Sequence, residues 1–488
     1  MPAQNILILG ASGFVGSHLV PELIAEGHLV RVASRDLPPL ESFGWPGVEL
    51  LPLDFDRSET LDRACGDIDT IYYLLQGRAS DESIEDVEQS MARSVCKAAD
   101  RAGVKRIIYL SVLQEGGGEP LRSSQYLRAR YRTSKILASG SASLTELRAA
   151  IVIGPGSVAF ELMRDVVVHL PVVFAPPVIE NRAQPIALDN VLEYLLAVLN
   201  LPETEGRRFD ISGPAMLSYR EQMEQMATVM GKSIQVKVSS RISRKIARAG
   251  LSLASSVPRD SANALLSGMG FDFRAKPEAL RALVPQKLLM FDEAVQSSLL
   301  REQASAGATR WRQGSLRYRN YDPRNGYFAK TARGSATTNA SPAEVWSLVE
   351  RIGGERGYYF GDWLWRLRGW MDFCAGGRGN IRCRDDAVHL RPRGRVDSWR
   401  IITVQEGRMV ELGLRMKAPG AGILQIEVIP EGSGSRLEII SYWHPSGFWG
   451  MLYWRALAPV LGYVLPGMAR SICMRAEQQG SENGVVSG

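Results

Sequence analysis

Asn5-Ile-Leu-Ile-Leu-Gly10-Ala-Ser-Gly13-Phe-Val-Gly16 is the stretch whose reading decides the fold of the N-terminal part of the chain. Asn5 to Leu9 is a short apolar run of branched residues bounded at once by glycine, the pattern of one buried strand. Glycines spaced G-x-x-G-x-x-G follow, then apolar residues at helical spacing: Val15, Leu19, Val20, Leu23 and Ile24. Strand, glycine turn and helix in that order make the first half of a dinucleotide site. Gly10 permits a sharp turn off the strand. Gly13 lets backbone N–H groups approach a pyrophosphate with no Cβ in the way, and Gly16 lets the helix pack close to the sheet. The helix N-terminus, with Ser12, Phe14 and Val15 around it, adds partial positive charge. A tight strand-to-helix turn uses the same glycines for structural reasons alone, so the strand–helix context carries the reading. Pro21 predicts a kink beyond the phosphate-facing turn.

The chain has 488 residues, more than one core organises comfortably, so two or three domains are expected. A hydrophobic content of 45% and a charged content of 23% are ordinary for a soluble globular protein. The net charge of +6 is small for this length and disfavours a dedicated nucleic-acid binder. The cysteines, Cys65, Cys96, Cys374, Cys383 and Cys473, are scattered and show no C-x-x-C spacing. Neither a disulfide framework nor a metal site is expected, and the histidines have no ligand spacing either. The N-terminus enters a strand directly with no charged leader before an apolar core, which argues for a reducing, cytoplasmic setting.

Leu29 to Ser34 reads as the second strand, with Arg35 at its tip. An acidic residue there would bind the adenosine ribose hydroxyls, whereas an arginine can pair with a 2′-phosphate. Ser34 and Arg35 therefore favour NADP, with NAD the alternative that the adjacent Asp36 would serve. Val48 to Leu53 is a third strand ending in Asp54-Phe55, where the carboxylate either meets the adenine amino group or caps the helix after it. Asp69 to Leu75 is a fourth strand, almost without polar residues beyond its start as expected of burial on both faces, and Leu74 and Leu75 should lie under the cofactor. A helix over Ile84–Ala102 and a strand over Arg106–Leu110, ending at Ser111, complete the alternation. The pattern is that of an α/β fold with a doubly wound parallel sheet of Rossmann type.

A helix from about Ser123 to Ala138 carries Tyr131-Arg-Thr-Ser-Lys135, a Y-x-x-x-K. Residues i and i+4 share a helix face. A lysine there can lower a phenol's pKa and hold a nicotinamide ribose, so that Tyr131 works as general acid or base on a carbonyl or alcohol. Alone, such a pair is usually a surface coincidence. Its place after the fifth strand of a dinucleotide fold raises its weight.

At this point the chain resembles the atypical and extended short-chain dehydrogenase/reductases. The resemblance rests on Gly10-x-x-Gly13-x-x-Gly16, Asp54, Tyr131 with Lys135, the run Leu147-Arg148-Ala-Ala-Ile-Val-Ile-Gly154-Pro155-Gly156, and Pro185-Ile186-Ala-Leu-Asp189-Asn190-Val191. It covers residues 1–303, with a substrate-capping part at about 211–303. Within that superfamily the chain looks most like the branch related to an accessory subunit of respiratory complex I, which often binds a nucleotide without demonstrated turnover. The resemblance implies an NADP-dependent oxidoreductase in which Tyr131, Lys135 and Ser111 are catalytic. One departure stands out: the family's serine usually lies two residues beyond Ser111, and Leu113 is there. Either Ser111 serves, or a loop serine such as Ser123 or Ser124 does, or the oxyanion donor is missing. In the capping part, Ser218-Tyr-Arg-Glu221 predicts a capped helix running to Met230, with Met223, Met226 and Met230 on one face, and Ile234 to Ser239 alternates like a strand.

From residue 304 to 334 arginines and aromatics interleave (Arg310, Trp311, Arg312, Arg317, Tyr318, Arg319, Tyr321, Arg324), the composition of a basic linker. A second domain is expected over 335–478. Ser341-Pro-Ala-Glu-Val-Trp346 opens a capped helix. A tryptophan-rich segment follows, then four antiparallel strands, Val396–Val404, Met409–Met416, Ile423–Ile429 and Arg436–Trp443, and a last helix over Phe448–Ala476. This order resembles the α+β helix-grip fold of the START and polyketide-cyclase superfamily, in particular an uncharacterised domain fused to these reductases. The resemblance implies an apolar pocket for a lipid-like or polycyclic ligand, with Trp363, Trp365, Trp370, Trp399, Trp443 and His444 as candidate lining. The run Ala456–Ala469 contains Pro459 and Pro466 and is too short to span a bilayer. The expected partner is a small, apolar substrate or ligand, with no nucleic acid and no transmembrane segment.

Overall fold

The computed structural model describes residues 3–41, 43–76, 83–113, 125–270, 274–308, 325–374, 376, 389–392 and 394–486. The chain divides into two compact units, Met1–Ser252 with Val257–Gly314, and Leu253–Ser256 with Ser315–Gly488.

The first unit is built on strands β1 (Asn5–Leu9), β2 (Leu29–Ser34), β3 (Glu49–Pro52), β4 (Thr70–Tyr73), β5 (Arg106–Val112), β6 (Ser143–Ala149) and β7 (Arg208–Ile211). They form a seven-stranded sheet in the order β7-β6-β5-β4-β1-β2-β3. Every neighbouring pair is parallel. Successive side chains of a strand point to opposite faces, and here both faces are covered. Ile6, Ile8, Val32, Tyr72 and Ile108 pack with α1 (Phe14–Ala25) on one side. Leu7, Leu9, Ile71, Tyr73, Ile107 and Tyr109 pack with α2 (Ser58–Cys65) and α3 (Ile84–Ala102) on the other. That double burial is why these strands read as continuous apolar runs. Pro21 sits inside α1 without ending it.

Helix α4 (Gln125–Leu137) flanks the sheet beside α3, and α5 (Val158–His169) and α6 (Leu188–Leu199) follow. In the capping part α7 (Tyr219–Val229) starts with a full capping box between Ser218 and Glu221, and Met223 and Met226 are buried. The segment Gln235–Val238 pairs in parallel with Val172–Ala175. Helix α8 (Phe291–Ala308) runs through the residues where the sequence places the start of the basic linker, because Gln303-Ala-Ser-Ala favours helix. Residues 330–334, at the linker's other end, are strand. The arginines and aromatics from Arg310 to Arg324 lie outside the described residues, as do Ser123, Ser124 and Cys383.

The second unit comprises β8 (Lys330–Thr338), α9 (Pro342–Val349), α10 (Asp362–Cys374), β9 (Arg395–Val396), β10 (Trp399–Gln405), β11 (Met409–Leu414), β12 (Gly420–Glu431), β13 (Gly434–Pro445) and α11 (Gly447–Val486). Its six-stranded antiparallel sheet has the order β8-β13-β12-β11-β10-β9. Ser341 caps α9 in a capping box with Glu344. Helix α11 lies against β8: a Cβ on Gly334 would come within 2.2 Å of the Leu465 carbonyl carbon, so only glycine allows that approach. Val345, Leu412, Leu424, Ile426, Leu465, Met468 and Ile472 fill the space between sheet and helix.

Two expectations are corrected here. Trp363 and Trp370, read as pocket lining, are 65% and 63% exposed, because α10 turns that face outward. Ala456–Ala469 is part of the longer helix α11, whose stretch Gly447–Gln479 is by length and composition alone long and apolar enough to cross a membrane, a test that the core helix of a soluble protein also passes, and 44% of its most apolar window is buried. Trp399, Trp443 and His444 are buried, and Trp365 packs against the core.

Candidate functional site

The sheet order reverses between β1 and β4, and the C-terminal ends of those strands border the crevice where open α/β sheets bind ligands. Gly10 ends β1 with φ +96°, and a Cβ there would come 2.6 Å from the Leu74 oxygen. The Gly13 amide donates to the Gly10 oxygen at 3.0 Å, closing the turn. A Cβ on Gly16 would meet that same oxygen at 2.4 Å, so α1 starts hard against the turn. Helix α1 has Gly13 as its N-cap, no side-chain cap and no acidic residue in its first turn. Its first N–H groups are therefore left without side-chain caps, the arrangement that suits an anion. Ser12 and Gly13 are exposed, and Phe14 and Val15 are half-buried. A Cβ on Gly154 would lie 2.9 Å from the Phe14 ring, so the Gly154–Gly156 loop closes over the start of α1. One turn on, His18 Nδ1 donates to the Phe14 oxygen at 2.8 Å, and burial holds its pKa below the usual value.

At the tip of β2, Ser34 is half-buried and its Oγ accepts the Asp36 amide at 3.3 Å, while Arg35 and Asp36 are both exposed. Asp54 Oδ1 accepts the Asp56 amide at 3.0 Å, and the Asp54 amide donates to Thr60 Oγ1 at 3.0 Å. The N-cap of α2 is Arg57, so Asp54 shapes the turn before the helix and does not cap it. Phe55 is half-buried against the core. The Leu74 amide donates to the Leu9 oxygen at 2.9 Å, carrying the β1–β4 ladder one residue past the strands.

Beneath this floor lies a buried polar group that sequence spacing did not bring out. Arg130 of α4, 3% exposed, donates from Nη1 to the Leu75 oxygen at 2.9 Å. Its Nη2 lies 3.0 Å from Glu88 of α3, itself 2% exposed. Its guanidinium stands over the Tyr126 ring, 5.3 Å from the centroid. Burial opposes the charge of Arg130, but Tyr109, Tyr126 and Glu88 outweigh it and hold the guanidinium above its ordinary pKa. Burial pushes the Tyr109 phenol up to about 12, against the pull of Arg130.

Tyr126 packs with Val112, Leu113 and Ala150 at the C-terminal ends of β5 and β6. Ser134, two turns further along α4, donates to Glu146 in the middle of β6 at 2.7 Å. The helix therefore runs from the strand ends back along the sheet. At a rise of about 1.5 Å per residue, Tyr131 lies about 7.5 Å and Lys135 about 13.5 Å further from the crevice than Tyr126. Tyr131 is half-buried, Lys135 is exposed, and the Lys135 Nζ sits 5.5 Å from the Tyr131 ring centroid. The two share a face as expected, and on the same helix Arg130 reaches the Leu75 oxygen while Tyr126 packs at the ends of β5 and β6. Ser111 is buried inside β5, on the face of Tyr109, and Leu113 is buried among Leu127, Ala275 and Tyr126. The signal that was available is Tyr126-x-x-x-Arg130, the same i, i+4 spacing with arginine in the lysine place. Among the described residues no three of His, Cys, Asp and Glu gather as a metal site.

Residues 10–163 match a family model described as NAD(P)H-binding, and residues 327–468 match one described as a protein of unknown function (DUF2867). The chain is 29% identical over 152 residues to the NmrA-like family domain-containing oxidoreductase flvB of Aspergillus flavus, covering 30% of this chain and 48% of that protein. It is 31% identical over 153 residues to a 3 beta-hydroxysteroid dehydrogenase/Delta 5-->4-isomerase of Mycobacterium tuberculosis, covering 28% and 40%. The chain thus spans about half the length of these relatives or less. Among solved structures, the Citrobacter sp. triphenylmethane reductase matches 61% of this chain and 99% of its own, with a TM-score of 0.50 at 16% identity, which is a likeness of fold. Over residues 10–163 the first unit is therefore similar to NAD(P)H-binding proteins, and its sheet is of Rossmann type.

Proposed function

We propose that this protein is an NADP-dependent oxidoreductase that interconverts an apolar carbonyl compound and its alcohol. The observation that carries the reading is the glycine cradle under an uncapped α1 at the point where the sheet order reverses. Arg35, exposed at the tip of β2, supports NADPH through its 2′-phosphate, with Asp36 beside it as the group that would favour NADH. Relatives named as an oxidoreductase and a hydroxysteroid dehydrogenase support carbonyl–alcohol chemistry.

When bound, the nicotinamide supplies or accepts the hydride. The chain must supply the proton. A phenol in the first turn of α4 stands at the strand ends, with the Arg130 guanidinium 5.3 Å from its ring centroid, and can pass its proton to the carbonyl oxygen. Tyr126 is therefore our first assignment for the acid, with Arg130 in the place of the lysine. Tyr131 with Lys135 is the assignment that the spacing favours, and Ser111 is its carbonyl-orienting partner. The second unit, a long helix on an antiparallel sheet, is consistent with the helix-grip reading and with holding an apolar substrate.

Steady-state NADPH oxidation against a panel of apolar ketones tests this. Tyr126→Phe should lower kcat by about 10²- to 10⁴-fold with NADPH affinity kept, while Tyr131→Phe should change it little. The reverse result moves the acid to Tyr131. A second reading, NAD(P)H binding without turnover by a redox sensor or assembly factor, is favoured by Leu113, which puts an apolar side chain where an oxyanion donor belongs. No oxidation of NADPH with any ketone would select it.

A further inference from the structure

Two helices of the second unit each carry an apolar stripe that faces solvent. On α10, Trp363, Leu367, Trp370 and Phe373 recur at helical spacing and are 65%, 46%, 63% and 68% exposed. On the first half of α11, Phe448, Trp449, Leu452 and Tyr463 are 42%, 69%, 44% and 62% exposed. The other sides of the helices are anchored: Leu364 and Trp365 pack on the core, and Met451, Leu461, Val464 and Leu465 are buried. Arg368 Nε donates to Tyr453 Oη at 2.7 Å, and the Phe360 and Tyr463 rings meet at 5.3 Å. These ties connect α10, and the segment just before it, to the first half of α11.

Among the described residues, the exposed charged side chains of α10 and of α11 up to Ala476 are all basic. Arg366, Arg415, Lys417, Arg455 and Arg470 are exposed, and Arg368 donates to the Lys417 oxygen at 3.2 Å. The carboxylates of α10 are engaged inward: Asp362 accepts the Tyr358 amide at 2.9 Å, and the buried Asp372 accepts the Lys417 amide at 2.6 Å. From Gly447 to Ala476, α11 has no acidic residue. Exposed tryptophans of this density mark an interaction site, and tryptophan beside arginine on helices with no exposed carboxylate among their described residues up to Ala476 fits the headgroup zone of an anionic bilayer.

We propose that this face docks the protein on an anionic membrane surface, with the aromatic stripes of α10 and α11 in the headgroup region and the flanking arginines on lipid phosphates. It lies on the surface and does not span. Leu465, Met468, Ala469 and Ile472 of α11 are sealed in the core, and the backbone contact at Gly334 would be lost if the helix were withdrawn. This goes beyond the oxidoreductase reading and rests on different residues.

Flotation of the full chain with vesicles tests it. Vesicles of phosphatidylcholine with about one-third phosphatidylglycerol should carry the protein upward and shift its tryptophan emission to the blue, pure phosphatidylcholine far less, and about 0.5 M salt should weaken binding. Trp363→Ser/Trp370→Ser/Trp449→Ser should lower partitioning by about tenfold or more. Arg366→Gln/Arg455→Gln, which leaves the apolar face intact, should lower it by about fivefold per arginine. A far-UV circular dichroism spectrum and an unfolding midpoint like those of wild type show that both variants fold. Wild-type protein that stays unbound on anionic vesicles, or variants that float like wild type, would overturn the proposal. So would a wild-type dimer that the triple variant dissociates with no vesicle binding in either, which would make the face a contact between copies of the chain.

Discussion

Gly13 carries the nucleotide argument in its most testable form. Its φ is −78°, open to any residue, and a Cβ there would come 3.1 Å from the Gly10 oxygen, a contact that a small shift relieves. A side chain at Gly13 would instead fill the space a pyrophosphate needs. Gly13→Val should therefore cost about tenfold or more in NADPH affinity, ~1.4 kcal/mol, with thermal stability nearly unchanged. Gly10→Val should destabilise as well, since φ +96° and the Leu74 carbonyl both exclude a side chain. Arg130→Met leaves Glu88 buried without its ion-pair partner at Arg130 and should cost about 3–5 kcal/mol, much of it recovered in Glu88→Leu/Arg130→Met; denaturant titration of the variants checks both. At this scale the glycines were legible because their spacing states a backbone requirement. Tyr126 and Arg130 were not, because arginine in place of lysine hides the pair from the usual pattern, and the depth of a residue along a helix relative to the crevice is a tertiary fact. At Asp54 one carboxylate oxygen accepts the Asp56 amide in a local turn, and an adenine contact by the same carboxylate stays a proposal.

The buried elements of the first unit were legible nearly residue by residue. β1, β2 and α3 have the bounds that the sequence predicts, since a strand buried on both faces must be apolar throughout and a long amphipathic helix declares its period. The capping boxes at Ser218 and Ser341 were equally plain. Ser341→Ala should lower stability by about 1 kcal/mol, read as a fall in the unfolding midpoint. What the elements did not disclose is which way an aromatic face turns. Trp363 and Trp370 have the spacing of a core stripe, and only the packing of Leu364 and Trp365 shows that the opposite side of α10 is inward. The helical end of α8 likewise ran past a composition shift that suggested a linker.

At the scale of the molecule, each unit has its own core and its own signature. In the second unit His444 is fully buried, with Nδ1 donating to the Gly326 oxygen at 2.9 Å, and burial lowers its pKa to about 4. The folded histidine takes its proton near pH 4, whereas an unfolded one takes it near pH 6.5. Between those values the unfolded chain binds more protons, so stability is complete above about pH 6.5 and falls as pH drops toward 4, by about 3 kcal/mol in all. His444→Gln should flatten that part of the stability profile. In the first unit NADPH at about 100 times its Kd should add about 2.7 kcal/mol, seen as slower amide exchange in β1, α1 and β2.

Calorimetric titration of the full chain with NADPH, and separately with NADH, bears most directly on the central claim. The account predicts tight binding of NADPH and weaker binding of NADH, with Arg35→Ser narrowing the difference. Equal binding of the two would remove Arg35 from the site, and binding of neither would contradict the account.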